Sequence, residues 1–314
     1  MMNNINKNIS RVLLLSIAIY FFAVWYVGWS DIYSALQKVE PKLVVVPVLL
    51  SLLAYILRFS RWQYFLHVFN KPVRLTNSIL IYFSGFALAM TPGKVGELLR
   101  CAYLKPYKIS YKRSSAMFVV ERLLDVISML CLSVLAAGYF TDKLNFLYLI
   151  LAIALTVLVF LVNPRLILKQ RKIISKTGSR LVRAYRHILD MLIHTGRILK
   201  PLPLVGGLGL GIVAWFLDGA GFYYIMSHFV TDAQITTIVG IYALSILLGA
   251  FSFMPGGVGA TEALMYGFLH LFGVQPEHAV VIIILSRLTT IWFAVLLGAT
   301  SVTLLGRLQA SRSQ

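Results

Sequence analysis

Long apolar runs separated by polar or basic patches divide this chain. Runs of about twenty residues, the length that crosses a bilayer's hydrocarbon core as a helix, cover Arg11–Gly28, Leu43–Leu66, Ser114–Tyr139, Leu144–Val162, Leu202–Phe229 and Ala279–Leu305. Two more, Ser78–Leu104 and Ile235–Phe272, are interrupted midway, the first at Thr91-Pro92-Gly93 and the second at Met254-Pro255-Gly256-Gly257. Proline lacks a backbone donor and glycine forms helix poorly, so each interruption ends one helix and starts another. The pattern predicts an all-α polytopic membrane bundle of eight apolar segments, six of them full spans and two re-entrant helical hairpins.

Composition agrees with burial in lipid. The 314 residues are 59% hydrophobic and 13% charged, with a mean hydropathy of +0.82. A soluble domain of this size could not cover so much apolar surface. The length suits a single integral membrane domain over 1–314. The formal net charge of +18, from 29 Lys and Arg against 11 acids, would suggest nucleic acid in a soluble protein. Here the bases cluster in loops beside apolar runs, the positive-inside signature, so nucleic acid is rejected as a partner.

Charge also orients the chain. With Lys7 and Arg11 in the cytoplasm, and both interrupted segments read as hairpins, nearly every basic cluster falls on the cytoplasmic side, along with both termini. Counting the interrupted segments as full crossings would instead move the 164–200 stretch outside, with its ten Lys or Arg. That stretch carries apolar residues at near-helical spacing and reads as a basic amphipathic linker on the cytoplasmic headgroups. The first run ends in Trp25, Tyr26 and Trp29 without a small-residue cleavage site, so it reads as a retained span and not a signal peptide. These features point to a multi-pass protein of the cell membrane.

The two interruptions resemble each other. Thr91-Pro92-Gly93-Lys94-Val95-Gly96-Glu97 matches Met254-Pro255-Gly256-Gly257-Val258-Gly259 followed by Glu262, and each precedes an Arg-Leu pair, Arg122-Leu123 and Arg287-Leu288. A first repeat over 43–139, with its hairpin at 78–104, and a second over 202–306, with its hairpin at 235–272, follow from this match. Three crossings separate the hairpins, so they enter from opposite faces and the repeat is inverted.

Five acids fall in or near apolar sequence: Glu97, Glu121, Asp125, Asp218 and Glu262. Charges in hydrocarbon pair with one another or line a wet cavity. Glu97 and Arg100 share a helical face, as do Glu121 and Asp125, with Arg122 adjacent. Arg122 lies about 12 Å along a helix that starts near Ser114. Helices starting near Lys94 and Gly257 would point free N–H groups and positive dipole ends at the membrane's middle. With Arg122 and Arg287 they suit an anionic group such as a phosphate, and Gly93, Gly96, Gly256, Gly257 and Gly259 permit close approach. Glu97 and Glu262 are then the switchable partners of the arginines. Arg58, Arg61 and Trp62, near the cytoplasmic end of the second span, read as headgroup anchors, with snorkelling side chains as the alternative. Cys101 and Cys131 read as small buried hydrophobes. The six histidines form no metal-binding pair, so neither a metal nor a cofactor is expected.

At these residues the chain resembles the lysylphosphatidylglycerol synthase transmembrane region family, a flippase-like membrane module. Four motifs carry the match: Arg58-x-x-Arg61-Trp62, Pro92-Gly93-Lys94-x-Gly96-Glu97-x-x-Arg100, Glu121-Arg122-x-x-Asp125 and Pro255-Gly256-Gly257-x-Gly259-x-x-Glu262. The resemblance implies a polytopic helical fold that moves lipid, or lipid-linked sugar, between leaflets. In the synthases the module precedes a soluble aminoacyl-transferase domain. This chain stops at Gln314, so a stand-alone member is expected and lysyl transfer is not.

The leading expectation is a flippase or transporter for an anionic phospholipid or a polyprenyl-phosphate-linked glycan. A rival is an intramembrane enzyme on lipid headgroups, with Glu121 and Asp125 as acid and base. The other is a non-catalytic scaffold whose partners are glycan or lipid synthesis enzymes.

Overall fold

The structure, a computed structural model, describes residues 39–69, 73–91, 97–139, 198–230, 233–252 and 254–310, with scattered positions between 30 and 37 and between 182 and 196. The expected spans Arg11–Gly28 and Leu144–Val162, most of the 164–200 linker, and Pro92, Gly93, Lys94 and Gly96 lie outside the described residues.

The described residues are helical, with no strand among them. Helix α1 is Lys42–Val68. Helix α2, Leu75–Ser84, runs on as a 3-10 turn, Gly85–Leu88. After the first interruption comes the short α3, Leu99–Leu104, and then α4, Tyr111–Ser133. Helix α5 is Pro201–Met226 and α6 is Ile235–Phe251. Past the second interruption lies α7, Ala260–Leu271. Helices α8, Pro276–Arg287, and α9, Phe293–Ala310, are joined without a break by a π turn, Leu288–Trp292.

By length and apolarity, Lys42–Val68, Pro201–Met226 and Pro276–Leu308 could each cross a bilayer. Helix α4 is long enough at 23 residues, but it carries Glu121, Arg122 and Asp125 in its middle. The apolar helices before the two interruptions are shorter, Leu75–Leu88 and Ile235–Phe251, below the ~20 residues that a straight crossing requires.

Charge and apolarity are arranged inside out relative to a soluble protein. On α1, Leu49 is 57% exposed while Arg61 is 1% exposed. Leu53 and Ile56 also face outward, whereas Arg58, Trp62 and Phe65 face in. Outward apolar side chains cost nothing in lipid, and inward charges find partners there. The membrane location thus follows from packing as well as composition.

Helices distant in sequence interlock. Helices α1 and α5 pack along each other more extensively than any other described pair, α2 packs against α9, and α6 packs against α4. The short apolar helix before each interruption therefore leans on a long helix distant from it in sequence. The two hydrophobic clusters show the same exchange. One joins α5, α6, α7 and α8 to Ile127 and Leu130 of α4 and to Ala136 just beyond it. The other joins α1, α2 and α3 to Ala294 and Leu305 of α9. The end of the basic linker enters this second cluster, since Ile198 and Leu199 are buried in it.

Candidate functional site

The second interruption is built from glycines. Gly256, Gly257 and Gly259 have φ of 64°, 68° and 92°, values that an L side chain adopts only with strain. They let Pro255–Gly257 form a tight turn that ends against the residue before the first interruption's Thr91: a methyl group at Gly256 would stand 3.3 Å from the Met90 Cα. The second interruption therefore packs against the residue that leads into the first, and Thr91 lines the same space.

Beside this contact lies a cavity of about 210 Å³. Its walls carry Arg58 and Tyr55 from α1, Arg122 and Asp125 from α4, Asp218 and Trp215 from α5, Arg287 from α8, and Glu97. The turn residues Gly256 and Gly257 close one side, and Thr290 of the π turn contributes another wall. The π turn displaces the helical register there, and the Thr290 carbonyl accepts a hydrogen bond of 2.8 Å from the Tyr55 hydroxyl.

Every arginine around the cavity is paired. Arg58 donates to Asp218 at 2.7 Å and lies 4.5 Å from the centre of the Trp215 ring. Arg61 donates to Asp125 at 2.7 Å. Arg122 reaches the same carboxylate at 3.0 Å and Glu97 at 3.5 Å. Arg100 is hydrogen-bonded to Glu121, stands 3.7 Å from Glu97, and stacks over Trp62 at 4.7 Å. Arg287 donates from Nε to Glu262 at 2.7 Å. Five guanidiniums and five carboxylates thus balance among the described residues. Low dielectric makes such pairing obligatory, because an uncompensated charge there costs several kcal/mol (about 3–5 when one partner is lost). Arg122 stands apart in exposure, with 26% of its side chain open against 1–8% for Arg58, Arg61, Arg100 and Arg287.

The expected site residues divide into three groups. Arg58, Glu97, Arg122, Asp125, Gly256, Gly257 and Arg287 line the cavity together. Arg61, Arg100, Glu121 and Glu262 stand behind this wall as ion-pair partners, with Gly259 joined to Glu262 through its N–H at 2.7 Å. Pro255 opens the turn. Pro92, Gly93, Lys94 and Gly96 fall outside the described residues.

Some expectations are corrected. Arg58, Arg61 and Trp62 are not surface anchors: they are 7%, 1% and 0% exposed, because the guanidiniums find carboxylates on α4 and α5. The N-terminal turn of α7 is not open to a ligand at Gly259, whose N–H already donates to Glu262. Cys101 is buried as expected, but Cys131 is exposed on the outer face of α4.

The cavity also holds Asp218, an acid that the sequence marks as lying in or near an apolar span but does not assign to the site. A signal existed: Trp215-x-x-Asp218 in α5 repeats the aromatic-to-charge spacing of Tyr55-x-x-Arg58 in α1. The cavity-lining Tyr82, Tyr242 and Thr290 gave no comparable signal.

Comparison with known proteins bears on what such a site belongs to. The family model for the lysylphosphatidylglycerol synthase TM region matches residues 12–298. The chain belongs to the lysylphosphatidylglycerol synthase transmembrane region family. That match spans every element described above except the end of α9. Among relatives in this family, a UPF0104 membrane protein of Methanothermobacter thermautotrophicus is 24% identical over 89% of this chain and 90% of its own length. A UPF0104 membrane protein of Methanocaldococcus jannaschii is 21% identical over 95% of each chain. The chain is also similar, over a shorter stretch, to the phosphatidylglycerol lysyltransferase of Bacillus subtilis: 26% identity over 96 residues, 31% of this chain and 11% of that protein.

Proposed function

We propose that the chain is a lipid transporter that passes an anionic headgroup between leaflets by way of the cavity beside Thr91 and Gly256. The observation that carries this reading is the paired network of arginines and carboxylates around a cavity that leaves Arg122 partly open. A buried ion pair is a poor way merely to stabilise a bundle, since well-packed apolar residues of similar volume do as well or better. A set this large, gathered at one cavity, suits a substrate that brings its own charge. Arg122 is the first donor a phosphate would meet, with Arg58 and Arg287 on the same walls.

The arrangement of the halves supports alternating access. Glu97 precedes Arg122 by the same 25 residues that separate Glu262 from Arg287. Read as an inverted repeat, the interlocked halves form two bundles that rock about the α1–α5 contact. Both termini would face the cytoplasm, with the 164–200 linker against anionic headgroups. The cargo class is an anionic phospholipid or a polyprenyl-phosphate-linked glycan. The family name and the lysyltransferase relative both favour lipid.

The enzyme reading draws less support. Glu121 is committed to Arg100 behind the wall, and Asp125 to Arg61 and Arg122. Each carboxylate is thus already engaged by at least one guanidinium.

Reconstitution into liposomes tests the proposal. The purified chain should translocate fluorescent phosphatidylglycerol, and Arg122→Ala should slow it about tenfold or more, because a hydrogen bond to a charged group is worth ~1.5–3 kcal/mol. Equal rates for wild type and Arg122→Ala at equal reconstitution would reject Arg122 as the headgroup donor. A wild-type chain that moves neither class of anionic lipid would reject transport.

A further inference from the structure

Two glutamates each stand 25 residues before an arginine, Glu97 before Arg122 and Glu262 before Arg287, and the structure holds them differently. Glu262 is tied down: its carboxylate accepts 2.7 Å hydrogen bonds from the Gly259 N–H and from Arg287 Nε. Glu97 is not. Its Oε2 is buried and accepts no hydrogen bond among the described residues, although Arg122 and Arg100 stand 3.5 and 3.7 Å away. Its side chain is 3% exposed, and it lies on the cavity wall.

That oxygen is held by charge and not by directed bonds, which makes Glu97 the readiest member of the network to leave. The neighbouring Arg122 Nε also lacks an acceptor. Around Glu97, the guanidiniums of Arg61, Arg100 and Arg122 face the carboxylates of Glu97, Glu121 and Asp125. Withdrawing Glu97 leaves one positive charge in excess beside the cavity, the condition for capturing an anion.

We propose that Glu97 is an internal counter-ion that competes with the substrate. The phosphate of an anionic headgroup takes its place against Arg122, and the return of the carboxylate expels the headgroup. Glu262 has no such role and serves as an anchor for α7. The inference rests on the transport reading for the identity of the anion, and its test separates the two.

The test measures binding and translocation independently on the full chain. Short-chain phosphatidylglycerol is titrated calorimetrically into detergent-solubilised protein, and fluorescent phosphatidylglycerol is followed in proteoliposomes. Glu97→Gln is expected to bind about tenfold more tightly, as one competing charge is lost, and to translocate more slowly than wild type because release stalls. Glu97→Asp keeps the charge on a shorter arm, so its affinity should fall between the two and its translocation should stay close to wild type. Glu262→Gln should lower the melting temperature without any gain in affinity.

Weaker or unchanged binding by Glu97→Gln would overturn the inference, as would an equal gain from Glu262→Gln. Where Glu97→Gln fails to purify as a monodisperse species, Glu97→Asp decides, and binding no tighter than wild type overturns it. Tighter binding by Glu97→Gln in a chain whose wild type moves no lipid would sink the transport reading and leave the counter-ion standing.

Discussion

Replacing Asp125 with alanine is expected to destabilise the chain by about 3–5 kcal/mol, the cost of stranding a buried charge. Asp125 is the hub of the network: it accepts from Arg61 at 2.7 Å and pairs with Arg122 at 3.0 Å. Its loss leaves the guanidinium of Arg61, 1% exposed, without the carboxylate to which it donates. Thermal unfolding in detergent micelles reads the effect. The pair between Lys42 and Glu40, with side chains 57% and 51% exposed, supplies the control, and Glu40→Ala should leave the midpoint unmoved. A double replacement, Arg61→Met with Asp125→Leu, should recover much of the stability while losing transport, because apolar packing substitutes for the pair but not for its charge. A loss for Asp125→Ala no larger than that of Glu40→Ala would mean that the network does not hold the bundle together.

Exchanging the charges of Arg58 and Asp218 should have the largest effect on transport. This pair joins α1 to α5 at 2.7 Å, on the cavity wall and beneath Trp215. Arg58→Asp alone sets two carboxylates against each other, and Asp218→Arg alone sets two guanidiniums together. Each should reduce lipid translocation by roughly 100-fold or more, since a lost buried pair costs ~3–5 kcal/mol and about 1.4 kcal/mol is tenfold. The doubly exchanged chain restores the attraction and should recover to within about tenfold of wild type, the remainder reflecting the poorer fit of the longer side chain on α5. Reconstituted translocation at matched protein content measures all three. A double exchange no better than the singles would mean that Arg58 acts on the substrate directly and not through its partner.

Much of this architecture is legible in the sequence. Leu43–Leu66 and Leu202–Phe229 foreshadow α1 and α5 to within a few residues, because a bilayer accepts only helices with satisfied backbones. The interruptions are equally plain, since Pro and Gly in apolar sequence have few other uses. The pairing is harder to read. The contact between Glu97 and Arg100 can be inferred from their spacing, but the closer partner of Arg100 is Glu121, 21 residues on. Arg61 finds Asp125 64 residues away, and Arg58 finds Asp218 160 away. Helical spacing reports only neighbours on one helix, so partners brought together by tertiary packing escape it.

Two other features leave no mark on hydropathy. The π turn at Leu288–Trp292 accompanies Thr289 and Thr290 hydroxyls bonded back to Leu285 and Ser286 carbonyls at 2.9 and 2.6 Å, a local geometry that an apolar pattern does not encode. The outward position of Cys131 is hidden for another reason: in a membrane chain the lipid-facing and core-facing sides of a helix are both apolar, so burial cannot be read from residue type alone.

A density map of the chain in nanodiscs rich in phosphatidylglycerol would test the site most directly. Transport through the cavity requires a phosphate within hydrogen-bonding distance of the Arg122 guanidinium, in the space between Thr91 and Gly256 and with the lipid's tails leading out to the bilayer. A well-resolved cavity that is empty of headgroup, with lipid density confined to the outer faces of α1, α5 and α9, would contradict it.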